Sequence, residues 1–153
     1  MFPLRLRIRS LIPDDLDAIH EIDRLCFPPD IAFSRREIEG YLHDSGSIGL
    51  AAEGRKGMAG FVLARVENGP AAHVLTLDIL PEMRRCGIGT QLMDALHRRL
   101  QKSGIRTAIL EVSVQNLAAQ RLYQKLGYEI CGLLPGYYQN RGDAYPMKRE
   151  VQS

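Results

Sequence analysis

The first fifty residues alternate apolar and polar positions in two different periods. Residues 4–9 place an apolar side chain at every second position between arginines, which is the period of a half-buried strand. Residues 16–26 then carry apolar side chains at helical spacing, and residues 27–29 end this helix because proline cannot continue it. Ser34 and Glu37 have the spacing of a capping box, which predicts a second short helix.

The middle of the chain predicts strands around one long helix. Residues 48–53 and 58–67 indicate a hairpin joined through glycines, and residues 73–80 are apolar almost throughout, as in a strand buried on both faces. Residues 87–102 present one face of leucines, which is typical of an amphipathic helix, and residues 107–114 form a further buried strand. Because strand–helix–strand units cross over with one hand, the two strands that flank this helix should be parallel.

The last third predicts one more helix and two more strands. Asn116 can cap a helix that ends at Gly127, and strands should follow near residues 128–134 and 144–150. The whole order is strand, two helices, three strands, helix, strand, helix, two strands. This order predicts one α/β (α+β) domain over residues 1–153, with a mixed sheet of about seven strands and about four helices.

Composition excludes several classes of protein. A chain of 153 residues with a net charge of +2 suits one core and is too weakly basic to indicate nucleic-acid binding. The three cysteines and four histidines are scattered, so we expect no metal site and no disulfide framework. Arginines interrupt the N-terminus, and no apolar run has the length of a membrane span. We therefore expect a soluble, cytoplasmic protein that binds neither nucleic acid nor membrane.

The most informative segment is Arg84-Arg85-Cys86-Gly87-Ile88-Gly89-Thr90, between a buried strand and the long helix. Its glycines let the backbone approach a ligand, and the free N–H groups of the first helical turn form an anion site suited to a pyrophosphate. A P-loop would need Gly-Lys-Ser/Thr, and a dinucleotide fingerprint would need a third glycine where Leu92 stands. Taken alone, the segment is equally compatible with a tight turn that binds nothing.

This segment resembles the signature Gln/Arg-x-x-Gly-x-Gly/Ala of the GNAT superfamily of acyl-CoA-dependent N-acyltransferases. Residues 84–89 match it, residues 110–116 resemble the family's fifth strand and the Asn after it, and residues 119–128 resemble its next helix and turn. The resemblance covers nearly the whole chain. It implies a mostly antiparallel sheet and acetyl-CoA as cosubstrate, without a metal.

The resemblance also implies where the cofactor binds. Backbone groups of the strand before the loop would contact the pantetheine arm, the loop would hold the pyrophosphate, and the Asn after the next strand would lie near the cofactor. Cys86 stands where the family often has a basic residue, and Asn116 is also explained as a plain helix cap. The implied residues are Leu77, Asp78, Ile79, Arg84, Arg85, Cys86, Gly87, Ile88, Gly89, Thr90 and Asn116.

Glu111 is the first candidate for catalysis. An amine attacks a thioester only when it is neutral, so a base must remove a proton. Glu111 stands in an otherwise apolar strand, where a carboxylate needs a partner or a role, and burial would raise its pKa toward that of a useful base. The alternative is a structural ion pair with Lys125 or Arg121.

Two further side chains are candidates for proton transfer. His73 begins the strand before the loop, and if that strand neighbours the Glu111 strand, both side chains could reach one water. The alternative for His73 is a solvent-exposed residue at a strand start. Tyr123 falls at the position where the resemblance implies a general acid beside the cofactor sulfur, and its alternative is a core tyrosine.

Residues 136–147 resemble the Tyr-Tyr hairpin and following Asp-Ala of the protein N-terminal acetyltransferases. The resemblance implies a peptide groove between Phe27-Pro28 and Tyr137-Tyr138, and a peptide or protein N-terminus as acceptor, with a ribosomal protein as one candidate. Pro146 departs from the pattern and should lie where no ladder N–H is needed, as on an edge strand.

Two other functions remain open at this point. One is an acetyltransferase for a small free amine, which would use the same cofactor site with a closed, more acidic pocket. The other is a non-catalytic acyl-CoA sensor, which would lack the base and the acid. Glu111 and Tyr123 argue against the sensor.

Overall fold

The structure, a computed structural model, describes residues 5–67 and 69–152. Leu4, the first apolar residue of the predicted N-terminal alternation, lies outside them. The elements follow the predicted order. They are β1 (Arg7–Ser10), α1 (Leu16–Cys26), α2 (Arg35–His43), β2 (Ser47–Gly54), β3 (Gly57–Val66), β4 (Ala71–Ile79), α3 (Ile88–Lys102), β5 (Thr107–Ser113), α4 (Leu117–Lys125), β6 (Glu129–Ile130) and β7 (Ala144–Glu150).

These strands form one seven-stranded sheet in the order β1-β2-β3-β4-β5-β7-β6. All neighbours are antiparallel except β4 and β5, which are parallel and joined through α3. The predicted mixed, mostly antiparallel fold is therefore confirmed. The sheet is the platform on which two helices lie against each face.

Both faces of β3 are buried, which sets the two layers of the core. Phe61 and Leu63 point toward α1 and α2, where they pack with Ile19, Ile22 and Ile38. The alternate residues of β3 point to the other face and pack under α3 and α4. A strand covered on both faces explains its nearly continuous apolar run.

Strand β7 is not an edge strand, so the expected place of Pro146 is wrong. β7 lies between β5 and β6, and the Pro146 carbonyl accepts a hydrogen bond from Cys131 N at 2.8 Å. The Pro146 nitrogen faces the same side and has no hydrogen to return, so the ladder is interrupted there and resumes only in the isolated pair of Leu134 and Ala144. This explains why β6 spans only Glu129–Ile130 instead of the predicted residues 128–134.

The parallel strands β4 and β5 separate soon after they meet. In the described part of the sheet, they pair only through Ala71–His73 and Thr107–Ile109. A register shift against β3 leaves Leu75 as an extra residue in β4, and such a bulge bends the strand. Beyond it, the β4 backbone has an edge that faces β5 without pairing to it. The divergence opens a cleft at the carboxyl ends of both strands.

None of the helices in the described ranges has the length and apolar character needed to cross a membrane.

Candidate active site

The cleft between the diverging strands has a volume of about 880 Å³. It brings together predicted residues from four separate parts of the chain. Those that line it are Phe27, Leu77, Glu111, Asn116, Tyr123, Tyr137 and Tyr138. Pro28, His73 and the loop 84–90 are not part of this lining. The cleft therefore unites most of the implied catalytic and acceptor residues, while the loop of residues 84–90 lies outside it.

Glu111 and His73 contact each other directly. The distance from His73 Nε2 to Glu111 Oε1 is 2.6 Å, and the Tyr137 hydroxyl donates to the same oxygen at 3.2 Å. In the parallel register His73 lies opposite Ile109, so Glu111 stands two residues further along the same face. In the described residues Glu111 makes no ion pair with Lys125 or Arg121, the alternative partners considered from the sequence. The carboxylate is partnered, but by a titratable ring.

The Glu111 carboxylate controls the protonation of His73. Its hydrogen bond is the largest influence and raises the pKa of His73, while partial burial of the ring opposes this. Glu67 adds a smaller contribution from the other side, 3.6 Å from His73 Nδ1. The His73 and Glu111 side chains are 22% and 17% exposed, and of the two only Glu111 lines the cleft. The raised pKa favours the protonated, positively charged ring of His73 beside the Glu111 carboxylate.

Tyr123 presents a protonated hydroxyl from α4. Its side chain is buried, and its ring packs edge-on against Tyr128 at a centroid distance of 5.8 Å. Burial, followed by the charge of Asp78, raises the pKa of Tyr123 far above its ordinary value. The hydroxyl therefore keeps its proton at neutral pH and can donate a hydrogen bond.

The turn that leads into α4 is held by two polar side chains. The side-chain oxygen Oδ1 of Asn116 accepts from Ala119 N at 3.1 Å, which confirms the predicted cap. Gln120 is buried and donates to the carbonyls of Ser113 and Val114, each at 3.0 Å. Both contacts fix where α4 starts and so where Tyr123 stands.

The loop before α3 fits an anionic ligand. Gly87 caps α3 with φ +79°, and Arg85 is also left-handed with φ +63°. A Cβ added to Gly89 would lie 3.3 Å from Leu122 and 3.6 Å from Leu77, so glycine lets the first turn sit close to the cleft wall. The leading N–H groups of α3 lack intrahelical partners and lie next to the exposed Arg85. This arrangement suits a pyrophosphate.

The end of the cleft lined by Tyr137 and Tyr138 has two walls joined by an ion pair. Tyr137 and Tyr138 pack edge to face at 4.9 Å. They belong to the connection between β6 and β7, where Asp143 accepts from Gly136 N at 2.8 Å. The facing wall is the α1–α2 loop, which begins with Phe27. Arg141 donates from Nε to both oxygens of Asp30, at 3.0 and 3.1 Å, and so links the two walls.

Several residues of this region were not singled out from the sequence. Asp30 and Arg141 are 111 positions apart, and only the folded loops bring them together. The bond from Tyr137 to Glu111 was also missed, because Tyr137 was expected only to contact the acceptor. Asp23 lies on the inward face of α1, where a carboxylate among apolar residues is a signal that could have been used.

Comparisons with known proteins identify the family of this fold and site. Residues 16–128 match the model of the Acetyltransferase (GNAT) family. The chain is 30% identical to an N-alpha-acetyltransferase of Saccharolobus solfataricus, over 94% of this chain and 92% of that protein. It is 32% identical to the [ribosomal protein bS18]-alanine N-acetyltransferase of Escherichia coli K12, over 92% and 94%. The crystal structure of the Escherichia coli ribosomal-protein-S18-alanine N-acetyltransferase superimposes with a TM-score of 0.89, at 26% identity over 97% of this chain and 96% of that one.

Proposed function

Because the chain belongs to the Acetyltransferase (GNAT) family and is an acyltransferase that uses acetyl-CoA, we propose that its acceptor is the N-terminal α-amino group of a peptide or protein. The observation that carries this proposal is the position of the Glu111–His73 pair. Glu111 lines an open cleft whose entrance is walled by Tyr137, Tyr138 and Phe27, and His73 is hydrogen-bonded to this carboxylate. An extended chain end fits between these walls, and its terminal amine can reach the pair.

The cofactor would approach from the other side of the sheet opening. The unpaired edge of β4 offers backbone groups to the pantetheine arm, and the loop of residues 84–90 offers N–H groups to the pyrophosphate. Gly89 keeps the space between loop and cleft free of a side chain. The thioester would then lie between Glu111 and Tyr123, which line the same cleft.

The amine of the acceptor attacks the thioester carbon directly. An α-amino group has a pKa near 8 while that of Lys is near 10.4, so an N-terminus is more readily neutral at physiological pH. The Glu111–His73 pair accepts the proton that the nitrogen loses as the N–C bond forms. His73 and Tyr137 hold the Glu111 carboxylate in place through hydrogen bonds. No covalent enzyme intermediate is required.

Tyr123 completes the reaction on the leaving group. When the C–S bond breaks, the thiolate needs a proton, and Tyr123 supplies one from its hydroxyl. Its raised pKa keeps the hydroxyl protonated until the C–S bond breaks. The phenolate then regains a proton from solvent, to which the Glu111–His73 pair releases the proton taken from the amine. The products are the acetylated amine and free CoA.

Acetyl-CoA turnover against three acceptor sets tests the proposal. The sets are peptides with free N-termini, the same peptides N-terminally blocked but containing Lys, and small amines. Thiol release confined to the first set supports an N-terminal acceptor. Release only with small amines overturns it in favour of a small-molecule enzyme, and binding without turnover on any set favours a sensor.

The first set should include peptides that begin with alanine. The relative in Escherichia coli is named for the alanine of a ribosomal protein, so a ribosomal-protein N-terminus belongs among the acceptors to be tested. A cytoplasmic location stays a prediction from the sequence.

A further inference from the structure

Two carboxyl groups that the proposed reaction does not use interact where α1 packs against β4, at the side of the acceptor groove. Asp23 of α1 and Asp78 of β4 are both fully buried. Asp23 Oδ2 accepts from Phe33 N at 2.7 Å, and Asp78 Oδ1 accepts from the hydroxyl of Thr76. The remaining oxygens, Asp23 Oδ1 and Asp78 Oδ2, are buried and have no hydrogen-bond partner among the residues that the structure describes when both groups are ionised. Each carboxyl therefore has one satisfied and one orphaned oxygen.

One proton shared by the two carboxyls removes both the repulsion between them and the desolvation penalty of their orphaned oxygens. Two buried carboxylates in contact repel each other, and each orphaned oxygen carries a desolvation penalty. A protonated Asp78 becomes a donor to Asp23, so both orphaned oxygens gain a partner and one charge disappears. Burial first, and then the hydrogen bond and charge of Asp23, raise the pKa of Asp78 well above its usual range.

The other ionisable groups around Asp78 do not neutralise its charge in place of the shared proton. Cys26 of α1 and Tyr123 of α4 are both kept protonated, because burial raises the pKa of each. Arg84 is a cation that favours ionised Asp78, but it is exposed and has less influence than Asp23. The geometry and the surroundings agree on one shared proton.

We propose that Asp78 and Asp23 share one proton and that this hydrogen bond is a positioning clamp for the acceptor groove. The clamp runs from β4 through Asp78 and Asp23 to the backbone of Phe33, which lines the cleft. It fixes the α1–α2 wall relative to the strand that carries the cofactor edge. This inference rests on the acceptor groove of the proposed function, and neither carboxyl takes part in the chemical step.

Two substitutions of Asp78 separate hydrogen bonding from charge. Asp78→Asn keeps the shape, can donate to Asp23 and can accept from Thr76, but cannot ionise. Asp78→Ala removes the donor and leaves Asp23 buried without it. Asp14→Asn is the control, because Asp14 is an exposed carboxyl just before the N-terminal end of α1, whereas the groove is lined by the opposite end of that helix.

Steady-state kinetics with a free N-terminal peptide measure the effect on the groove. We expect Asp78→Ala to raise the KM for the peptide about tenfold, a larger change than in kcat or in the KM for acetyl-CoA. At neutral pH Asp78→Asn should raise the peptide KM less than Asp78→Ala does, because it keeps a donor to Asp23, and Asp14→Asn should leave the peptide KM unchanged. An unchanged peptide KM in Asp78→Ala overturns the proposal, and so does an equal rise in both Asp78 variants.

Infrared spectroscopy detects the proton without any turnover. At neutral pH the wild type and Asp14→Asn should have the C=O band of a protonated carboxylic acid, and Asp78→Asn should lack it. A wild type without this band, or an Asp78→Asn variant that keeps it, overturns the shared proton. Since the band needs no acceptor, its presence in an enzyme that ignores peptides would contradict the proposed function and leave the shared proton standing.

The pH profile provides a second measurement should Asp78→Ala fail to fold. Over the pH range in which the band disappears, the peptide KM of the wild type should rise relative to that of Asp78→Asn. Dividing the two values cancels the ionisation of the peptide amine and of His73, which both enzymes share. A constant ratio through the loss of the band overturns the role in positioning.

Discussion

One oxygen of Glu111 receives hydrogen bonds from two side chains, and this concentrates the proposed chemistry on one carboxylate. The contact with His73 is short, and the one from Tyr137 comes from the acceptor wall. Replacing the carboxylate therefore changes the base, the protonation of His73 and the anchoring of Tyr137 together. The amide of Gln keeps the size but cannot accept a proton.

We predict that Glu111→Gln lowers kcat about 100- to 10,000-fold, the usual contribution of a positioned general base. Because Glu111 is the main reason for the raised pKa of His73, that pKa should fall back toward its ordinary value of 6.5. Turnover measures the first effect and NMR titration of the ring measures the second. Glu129→Gln, an exposed carboxyl on β6, is the control. Activity near the wild-type value in Glu111→Gln would exclude Glu111 as the base.

Tyr123→Phe should lower kcat about 100-fold while the fold is kept. The ring and its packing on Tyr128 remain, and only the proposed proton donor is lost. The control is Tyr41→Phe in α2, which removes a hydroxyl from a ring that likewise packs edge-on against an aromatic neighbour. A leaving group more acidic than the CoA thiol should restore activity to Tyr123→Phe. No restoration would assign Tyr123 to packing instead of acid catalysis.

At the scale of elements, the two ends of α3 carry a matched pair of glycines. Gly87 and Gly104 flank the helix with φ +79° and +77°, and an added Cβ would touch nothing within 4 Å at either site. Alanine at either position should cost about 1–2 kcal/mol of stability from the left-handed backbone alone. Only Gly87→Ala should also raise the KM for acetyl-CoA, because only that end forms the proposed phosphate site.

Thermal unfolding and acetyl-CoA kinetics check this pair. Equal losses of stability with a KM change of about tenfold confined to Gly87→Ala would support the loop as the pyrophosphate site. An equal rise of KM in both variants would mean that the cofactor responds to the stability of α3 and not to the shape of its first turn.

Local signals in the sequence predicted most of the elements. Ser34 caps α2 through a complete capping box with Glu37, and β7 has the predicted bounds of residues 144–150. These features depend on side chains a few positions apart, which a sequence displays directly. The length of β6 was wrong because it depends on Pro146, which meets that strand only in the folded sheet.

The candidate site was predictable where one residue contrasted with its surroundings. Glu111 was found because a lone carboxylate interrupts an apolar strand. Asp78 meets the same criterion, yet only its backbone was considered, and its partner Asp23 lies on another element. The direct bond between His73 and Glu111 required the register of two parallel strands, which the sequence does not fix.

At the scale of the whole molecule, ionisable groups make the stability depend on pH in opposite directions. The hydrogen bond from Arg9 is the main cause that lowers the pKa of Asp15. The ion pair therefore contributes its full stabilisation above the ordinary pKa of Asp, and this contribution is lost as pH falls through the lowered pKa. His73 and Asp78 have raised pKa values, so their protonated forms stabilise the fold at low pH. Those contributions decline as pH rises toward the raised values.

Asp78 should cause most of the loss of folding stability as pH rises, because it is fully buried. Its contribution is complete below the ordinary pKa of 3.8, declines by at most about 1.4 kcal/mol per pH unit, and is gone above the raised pKa. The free energy of unfolding of the wild type, minus that of Asp78→Asn, should therefore fall steadily as pH rises through this window. Denaturant titrations from pH 4 to 10, taken in steps of about one unit, measure the difference. Asp15→Asn should instead reduce the loss of stability as pH falls. If the difference in free energy of unfolding between the wild type and Asp78→Asn does not change with pH, Asp78 is ionised in the folded protein.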